Sequence, residues 1–311
     1  MKRLKTQVIV NPESNHGRTR RRWREIKDAL RSHIREFRYE FTEKPLQAIE
    51  ISREAVRSGH DLIIGVGGDG TMNEIANGFF EDRRIINPDS ALGILPSGTG
   101  CDLTKSLGIP PGLNDALRVI TEAPSAAMDV GRVSFCDNAG QETERFFLNV
   151  SDFGVGGEVV KRVNDRQLQR KASSYVRCLV SAMANYRSRR IKVRVDGRDI
   201  PEGEYLIGAI ANGRIFGKGM KIAPQASLDD GLLDLVLVKS MRFFEFCRHG
   251  WKIFLGTHLS HPKISLVRGR RFEALAVEEG DVLLELDGEQ LGRLPAKFEV
   301  VPRVLQVKGY L

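Results

Sequence analysis

Six acidic side chains carry most of the chemistry open to this chain. Asp69 stands inside Gly67-Gly68-Asp69-Gly70-Thr71, Asp102 ends Gly98-Thr99-Gly100-Cys101-Asp102, and Asp129 precedes Val130-Gly131. Asp230, Asp287 and Glu289 follow much later. Glycines tolerate positive φ and let a ligand approach the backbone closely. A helix opening directly behind such a turn aims its N–H groups at whatever the glycines admit, most naturally a phosphate. A carboxylate there repels a bare pyrophosphate, and makes sense when a magnesium ion lies between the two. That favours phosphoryl transfer over hydride transfer. Gly65-Val66-Gly67-Gly68-Asp69-Gly70 literally fits the dinucleotide pattern G-x-G-x-x-G, a weak signal alone. The acidic residue expected roughly 20 positions later, at the end of the next strand, is missing, since Asp89 precedes that strand.

The elements that must position these residues follow from hydrophobic pattern. Gln7–Val10, Arg38–Phe41, Leu62–Val66 and Ala91–Leu95 read as strands. Helices are expected over Gly17–His33, where Trp23, Ile26, Leu30 and Ile34 recur at helical spacing, and over Leu46–Ser58. Thr71 with Glu74 has the capping-box spacing, so a helix is expected to begin at Thr71, and Thr99 with Asp102 repeats the design. Strands alternating with helices imply a mainly parallel α/β sheet. Such sheets bind ligands at the carboxyl ends of their strands. Asn11, Thr42, Gly67–Thr71 and Gly98–Asp102 all fall at ends of that kind.

Near Asp129 the rhythm changes. Strands dominate over Arg132–Phe135, Phe146–Val150, Ile191–Val195, Tyr205–Ala211, Leu233–Val238, Phe272–Val277 and Val282–Leu286, with Asp-Gly turn signals at Asp196-Gly197 and Asp287-Gly288. Helices are expected over Ala172–Arg187 and Arg242–Leu259. The reading is two domains: a nucleotide-binding α/β domain over 1–130 joined by the tail 295–311, and a largely antiparallel β domain over 131–294.

The chain has 311 residues, 41% hydrophobic and 28% charged, with net charge +8. That balance suits anionic partners without choosing among nucleotides, nucleic acid and an acidic membrane surface. The four cysteines are far apart, with no C-x-x-C, which suggests a reducing cytoplasm. No apolar run approaches membrane-spanning length, and Val8-Ile9-Val10 is too short for a signal peptide. Any membrane contact is expected to be peripheral. Arg18, Arg20, Arg21, Arg22 and Arg24 are expected on a solvated helix face. Met241–Thr257, with Phe243, Phe244, Phe246, Trp251 and Phe254 among Arg242, Arg248 and Lys252, reads as a core helix or as an interfacial one. Arg162–Lys171 and Arg187–Arg190 are further basic candidates for anionic headgroups.

Gly67-Gly68-Asp69-Gly70-Thr71-Met72-Asn73-Glu74 resembles the signature of the diacylglycerol kinase catalytic-domain family, which includes soluble bacterial lipid kinases and the sphingosine and ceramide kinases. Asn11-Pro12 with Ser14 and Gly17, Leu95–Asp102, Met128–Arg132, Phe147–Ser151, Gly219–Pro224, Leu228–Asp234 and Leu286–Glu289 resemble its further motifs in order, so the likeness spans the chain. It implies a Rossmann-like three-layer α/β domain followed by a sandwich-like β domain, with ATP bound between them. It also implies transfer of the γ-phosphate to a hydroxyl of a membrane lipid such as diacylglycerol. Asn11, Thr42, Gly67, Gly68, Asp69, Gly70, Thr71, Met72, Asn73 and Thr99 would hold the nucleotide. Asp69, Asp102 and Asp129 would organise a catalytic Mg2+ and its waters. A structural Mg2+ would take Asp230 and the carbonyls of Ser227 and Leu232. Glu289 or Asp287 would be the base, the two not being separated. The implied partner is a lipid at a membrane surface rather than nucleic acid, with a homodimer compatible. The chain departs from the pattern at Cys101, where Asn is usual, at Gln225, and at Asn15-His16. An NAD kinase-like enzyme shares the G-G-D-G-T loop, but Asn73-Glu74 and Asp287-Gly288-Glu289 argue against it. A nucleotide-binding regulatory protein without catalysis is the alternative from another class.

Overall fold

The computed structural model describes residues 4–164, 175–278 and 280–311. The chain divides into two compact units, Met1–Val130 with Pro302–Leu311, and Gly131–Val301. Residues 295–301, placed with the first domain from sequence, belong to the second unit, because Ala296–Glu299 pair with the strand Arg271–Ala274.

The first unit runs β1 Thr6–Val10, α1 Ser14–His33, β2 Arg38–Phe41, α2 Gln47–Arg57, β3 Leu62–Gly67, α3 Asp69–Asn77, the hairpin β4 Phe80–Glu81 and β5 Arg84–Ile85, β6 Ala91–Pro96, α4 Asp102–Ser106, α5 Leu113–Glu122 and the start of β7 Ser125–Asp137. Its main sheet is parallel. Val8 pairs with Tyr39 on one side and Ile64 on the other, and Ile64 pairs with Gly93. Gln306 and Val307 add a further parallel neighbour to β6. Every residue of β1 and β3 is buried, as expected for strands covered on both faces by helices. Because all these strands run the same way, the loops after β1, β2, β3 and β6 open at one edge of the sheet.

The second unit continues with β8 Glu142–Phe147, β9 Val150–Gly154, α6 Val155–Asn164, α7 Tyr175–Asn185, β10 Arg189–Val195, β11 Arg198–Ala211, β12 Leu233–Lys239, α8 Phe243–His249, α9 Lys252–Leu255, β13 Ile264–Gly269, β14 Arg271–Ala276, β15 Leu283–Leu286 and β16 Glu289–Lys308, whose last residues cross into the first unit. Pairing here is antiparallel, and antiparallel pairs dominate the molecule. Residues of β12 alternate between two cores. Leu233, Leu235 and Leu237 join Phe153, Phe272 and Phe298, while Val236 and Val238 join Val155, Val159 and Leu206.

Two further expectations are corrected. Phe146–Val150 is not one strand. It breaks at Leu148-Asn149 between β8 and β9, where three backbone N–H groups are taken by a carboxylate. Arg242–Leu259 is not one helix, and α8 and α9 have no buried residue. The basic segment Arg162–Lys171 and the first residues of Ala172–Arg187 fall partly outside the described residues.

Candidate functional site

The glycines of the two loops let backbone meet backbone. A Cβ at Gly98 would stand 2.4 Å from Gly68 Cα, and one at Gly67 would strike the Thr71 side chain at 2.6 Å. Ser97 N–H donates to the Gly67 carbonyl at 2.9 Å, which locks the end of β6 to the end of β3. The loop after β1 joins them. Asn11 Nδ2 donates to Thr71 Oγ1 at 3.0 Å, and the hydroxyls of Ser14, Thr19 and Ser97 form a chain of 2.6 and 2.5 Å contacts. Asn15, His16 and Gly17 carry that loop through left-handed backbone. Thr42, at the end of β2, donates its N–H to the Val10 carbonyl. Asn11, Thr42, Gly67–Thr71 and the Ser97–Asp102 loop therefore stand at one sheet edge.

The expected capping box does not form. α3 begins at Asp69 with Gly68 as N-cap and no side-chain cap bond. Thr71 is used by Asn11, and Glu74 Oε2 accepts from the Ala48 N–H at 3.3 Å, so both members are drawn away by long-range partners. α4 likewise begins at Asp102 behind Cys101, leaving Thr99 exposed in the loop. Met72 and Asn73 face inward. Met72 packs against Gly65, and Asn73 Oδ1 accepts from Asn77 at 3.1 Å. Both are buried, at 2% and 5% exposed.

Asp69 ties the two loops together. Its oxygens accept from the N–H groups of Asp102 at 2.9 Å and Leu103 at 3.2 Å. An anion at the first turn of a helix is stabilised by just such donors. Asp102 is buried and meets Lys105 Nζ at 2.6 Å. Cys101 lies between them, its Sγ accepting from Gly98 N–H. Burial, then the Asp69 charge, pushes its thiol up to about 11. Cys101 holds φ 46°, a left-handed conformation that Asn tolerates better. Asp69 and Asp102 against Lys105 leave one net negative charge, and hard carboxylate oxygens there suit a divalent cation. Asp129 is fully buried, and its carboxylate accepts from the Arg303 N–H at 2.7 Å.

In the second unit, Asp287 and Gly288 form the two-residue turn between β15 and β16, both with positive φ, as the Asp-Gly signal predicts. The two base candidates stand in different surroundings. The buried Asp287 carboxylate accepts from Leu148 N–H at 2.7 Å and from Asn149 and Val150 N–H at 3.0 Å, so it braces the β8–β9 break. Glu289 is partly exposed at the start of β16. Sequence reasoning missed a neighbouring pair. Asp152 on β9 stands opposite Glu285 on β15, and both are buried. Acidic residues inside the apolar runs Val150–Gly154 and Leu283–Leu286 were the available signal.

The Ser227–Leu232 loop is closed by the chain itself. Asp230 Oδ1 accepts from Leu232 N–H at 3.0 Å, and Ser227 Oγ donates to Asp229 at 2.8 Å. Arg268 Nε donates to Asp234 at 2.8 Å and its Nη2 to the Gln225 carbonyl at 2.8 Å, with Nη1 3.8 Å from Asp230. Arg268 thus brings a positive charge mainly to Asp234, with Asp230 at its margin. The Asp230 carboxylate and the Ser227 and Leu232 carbonyls are hard oxygen donors of the kind a magnesium ion takes. Among the described residues no cluster of three or more His, Cys, Asp or Glu side chains is placed to hold a metal.

An apolar cavity of about 380 Å³ lies in the second unit, with Val159, Leu206, Ile222, Phe246, Ile253 and Phe254 among its walls. Beside it α8 and α9 leave Phe244 85% and Trp251 54% exposed. Among the described residues no helix is long and apolar enough to cross a membrane.

A profile of the diacylglycerol kinase catalytic domain matches residues 5–133, and one of the YegS C-terminal NAD kinase beta sandwich-like domain matches residues 149–309. A Staphylococcus aureus protein named diacylglycerol kinase is 28% identical over 319 residues, covering 98% of this chain and 92% of the relative. The fold is similar to the crystal structure of a diacylglycerol kinase from Bacillus anthracis (TM-score 0.72, 24% identity, 99% and 98% of the two chains). It is also similar to that of yeast NADH kinase complexed with NADH (TM-score 0.52, 11% identity, 99% and 83%).

Proposed function

The chain belongs to the diacylglycerol kinase catalytic-domain family with a YegS-type C-terminal domain, and from that premise we propose that it is an ATP-dependent lipid kinase. The observation that carries the lipid reading is the apolar cavity of the second unit. Buried apolar walls suit an acyl chain and offer little to a polar dinucleotide, which is the point against the NAD kinase alternative.

The first unit is read as a Rossmann-like nucleotide-binding domain and the second as the lipid-binding domain. Asn11, Thr42 and the backbone of Gly67–Asn73 and Ser97–Thr99 bind and orient ATP. Asp69 and Asp102 would hold a divalent cation, which when bound supplies charge neutralisation on the phosphates. Asp129 holds the Arg303 backbone. Glu289 takes the proton from the lipid hydroxyl, a role that requires hydrogen-bond reach to that hydroxyl. Asp287 positions the turn before it by gripping three N–H groups. The lipid comes from a bilayer surface, reached peripherally through the exposed aromatic residues of α8 and α9 and their flanking Arg242, Arg248 and Lys252.

The test supplies labelled ATP and magnesium with diacylglycerol, phosphatidylglycerol, ceramide, sphingosine and NAD. Label in a lipid is expected. Label in NAD alone overturns the lipid reading, and label in none favours a nucleotide-binding protein without catalysis.

A further inference from the structure

Glu285 and Asp152 are directly opposed on β15 and β9, and they are 3% and 1% exposed. As cross-strand partners their side chains leave the same face of the two strands. Two ionised carboxylates side by side without water repel strongly, which favours a proton on one of them. Around this pair the structure is built tightly. A Cβ at Gly156 would fall 1.9 Å from Asp152 Oδ1, so only glycine leaves room for the acid. The other Glu285 oxygen, Oε2, accepts from the Gly288 N–H at 2.8 Å. Gly288 is the second residue of the turn that Asp287 anchors from the other side. Asp152 Oδ1 and the Tyr186 hydroxyl are both buried without a hydrogen-bond partner among the described residues.

We propose that Asp152 and Glu285 are positioning residues: a carboxylic acid–carboxylate pair that grips the Gly288 amide and so fixes the turn from which Glu289 departs. The inference rests on the reading of Glu289 as the base. Asp287 clamps one end of the turn to the β8–β9 break, and the pair clamps its other peptide. Without the second clamp the turn keeps its anchor but loses its orientation.

The electrostatics agree. Burial raises both groups, Asp152 to about 7 and Glu285 further in the same direction, with the Asp152 charge adding to Glu285. The titratable groups facing the pair are Asp287 on the turn and Tyr186 after α7, with Glu158 and Arg189 acting on Tyr186. Since the folded values lie above the unfolded ones, the folded chain holds protons that the unfolded chain has released. The stability tied to Asp152 is full below its ordinary value of 3.8 and is lost as pH rises through about 7.

The experiment compares wild type with Glu285→Gln, Glu285→Leu and the double variant Asp152→Asn/Glu285→Gln. Glutamine keeps an acceptor for Gly288 and a donor for Asp152, so Glu285→Gln should retain kcat. Leucine fills the site without the acceptor, so kcat should fall about tenfold or more while KM for ATP stays within about twofold. The urea midpoint of Glu285→Leu should fall, because it strands Asp152 and the Gly288 N–H, while that of Glu285→Gln should stay near wild type, so kcat is compared at a denaturant-free condition where all variants are folded. The double variant should lose the fall in urea midpoint that wild type shows between weakly acidic pH and pH 7. Equal kcat in Glu285→Leu and wild type, or an equal loss in Glu285→Gln, overturns the positioning role. An unchanged pH slope in the double variant overturns the shared proton. Failure of wild type to label any lipid removes the kinase reading and the positioning role with it, while the unfolding comparison still decides the proton.

Discussion

At the scale of single residues, three of the carboxylates marked out by sequence are spent on backbone N–H groups. Asp69 takes those of Asp102 and Leu103, Asp129 that of Arg303, and Asp287 those of Leu148, Asn149 and Val150. Asp69→Asn keeps one acceptor oxygen and should remain folded with a stability loss near 1 kcal/mol. Its lipid kinase activity should drop by about 100-fold or more, because the amide lacks the charge that a cation needs. Urea unfolding and labelled-ATP transfer on the same preparation separate the two effects, and an Asp69→Asn enzyme of normal rate would remove Asp69 from the site. Cys101 gives a second prediction. A thiol held near 11 contributes little thiolate at neutral pH. Maleimide should therefore modify the exposed Cys247 well before Cys101, as read by peptide mass. Comparable rates would mean that the loop pair opens. These roles were not legible in the sequence. The acids and glycines could be named from their spacing, but the partner of Asp69 is 33 residues away and that of Asp287 is 139 residues away. Local pattern carries no record of such pairings.

Elements were far more legible than their caps. β1, β2, β3 and β6 could be read within one or two residues, since short apolar runs closed by glycine or polar turns have few other uses. Thr71 and Glu74 had the spacing of a cap, yet each met a stronger long-range partner. Arg242–Leu259 had helical composition, but Gly250 and Gly256 divide it, the latter at φ 75°. The Asp230 loop shows the same competition, with Arg268 reaching from β13 across to Asp234, Gln225 and Asp230. Asp234 is 2% exposed, and burial raises its carboxyl while Arg268 opposes the rise. Arg268→Ala strands that acid and should cost about 1–3 kcal/mol in urea unfolding. An unchanged midpoint in Arg268→Ala would remove the guanidinium from the support of Asp234.

For the whole molecule, net charge and exposed apolar surface make different demands of a bilayer. A charge of +8 draws the chain to anionic lipid, an attraction screened by salt over a length of about 10 Å at 0.1 M. Phe244, Trp251, Phe254 and Leu255 act differently, because buried apolar area is insensitive to ionic strength. Vesicles of phosphatidylglycerol and phosphatidylcholine should therefore bind the protein in two separable parts. Raising salt from about 0.05 M to about 0.5 M should remove most binding but leave a residue. Phe244→Ser with Trp251→Ser should abolish that residue and weaken low-salt binding only in part. Both side chains are exposed, so the double variant should unfold at the wild-type midpoint, and its activity on short-chain lipid dispersed in detergent should persist. Flotation with the two variants and two salt levels decides the matter. Binding lost entirely to salt in wild type would assign membrane contact to charge alone, and would leave the aromatic face of α8 and α9 without a part in reaching the lipid.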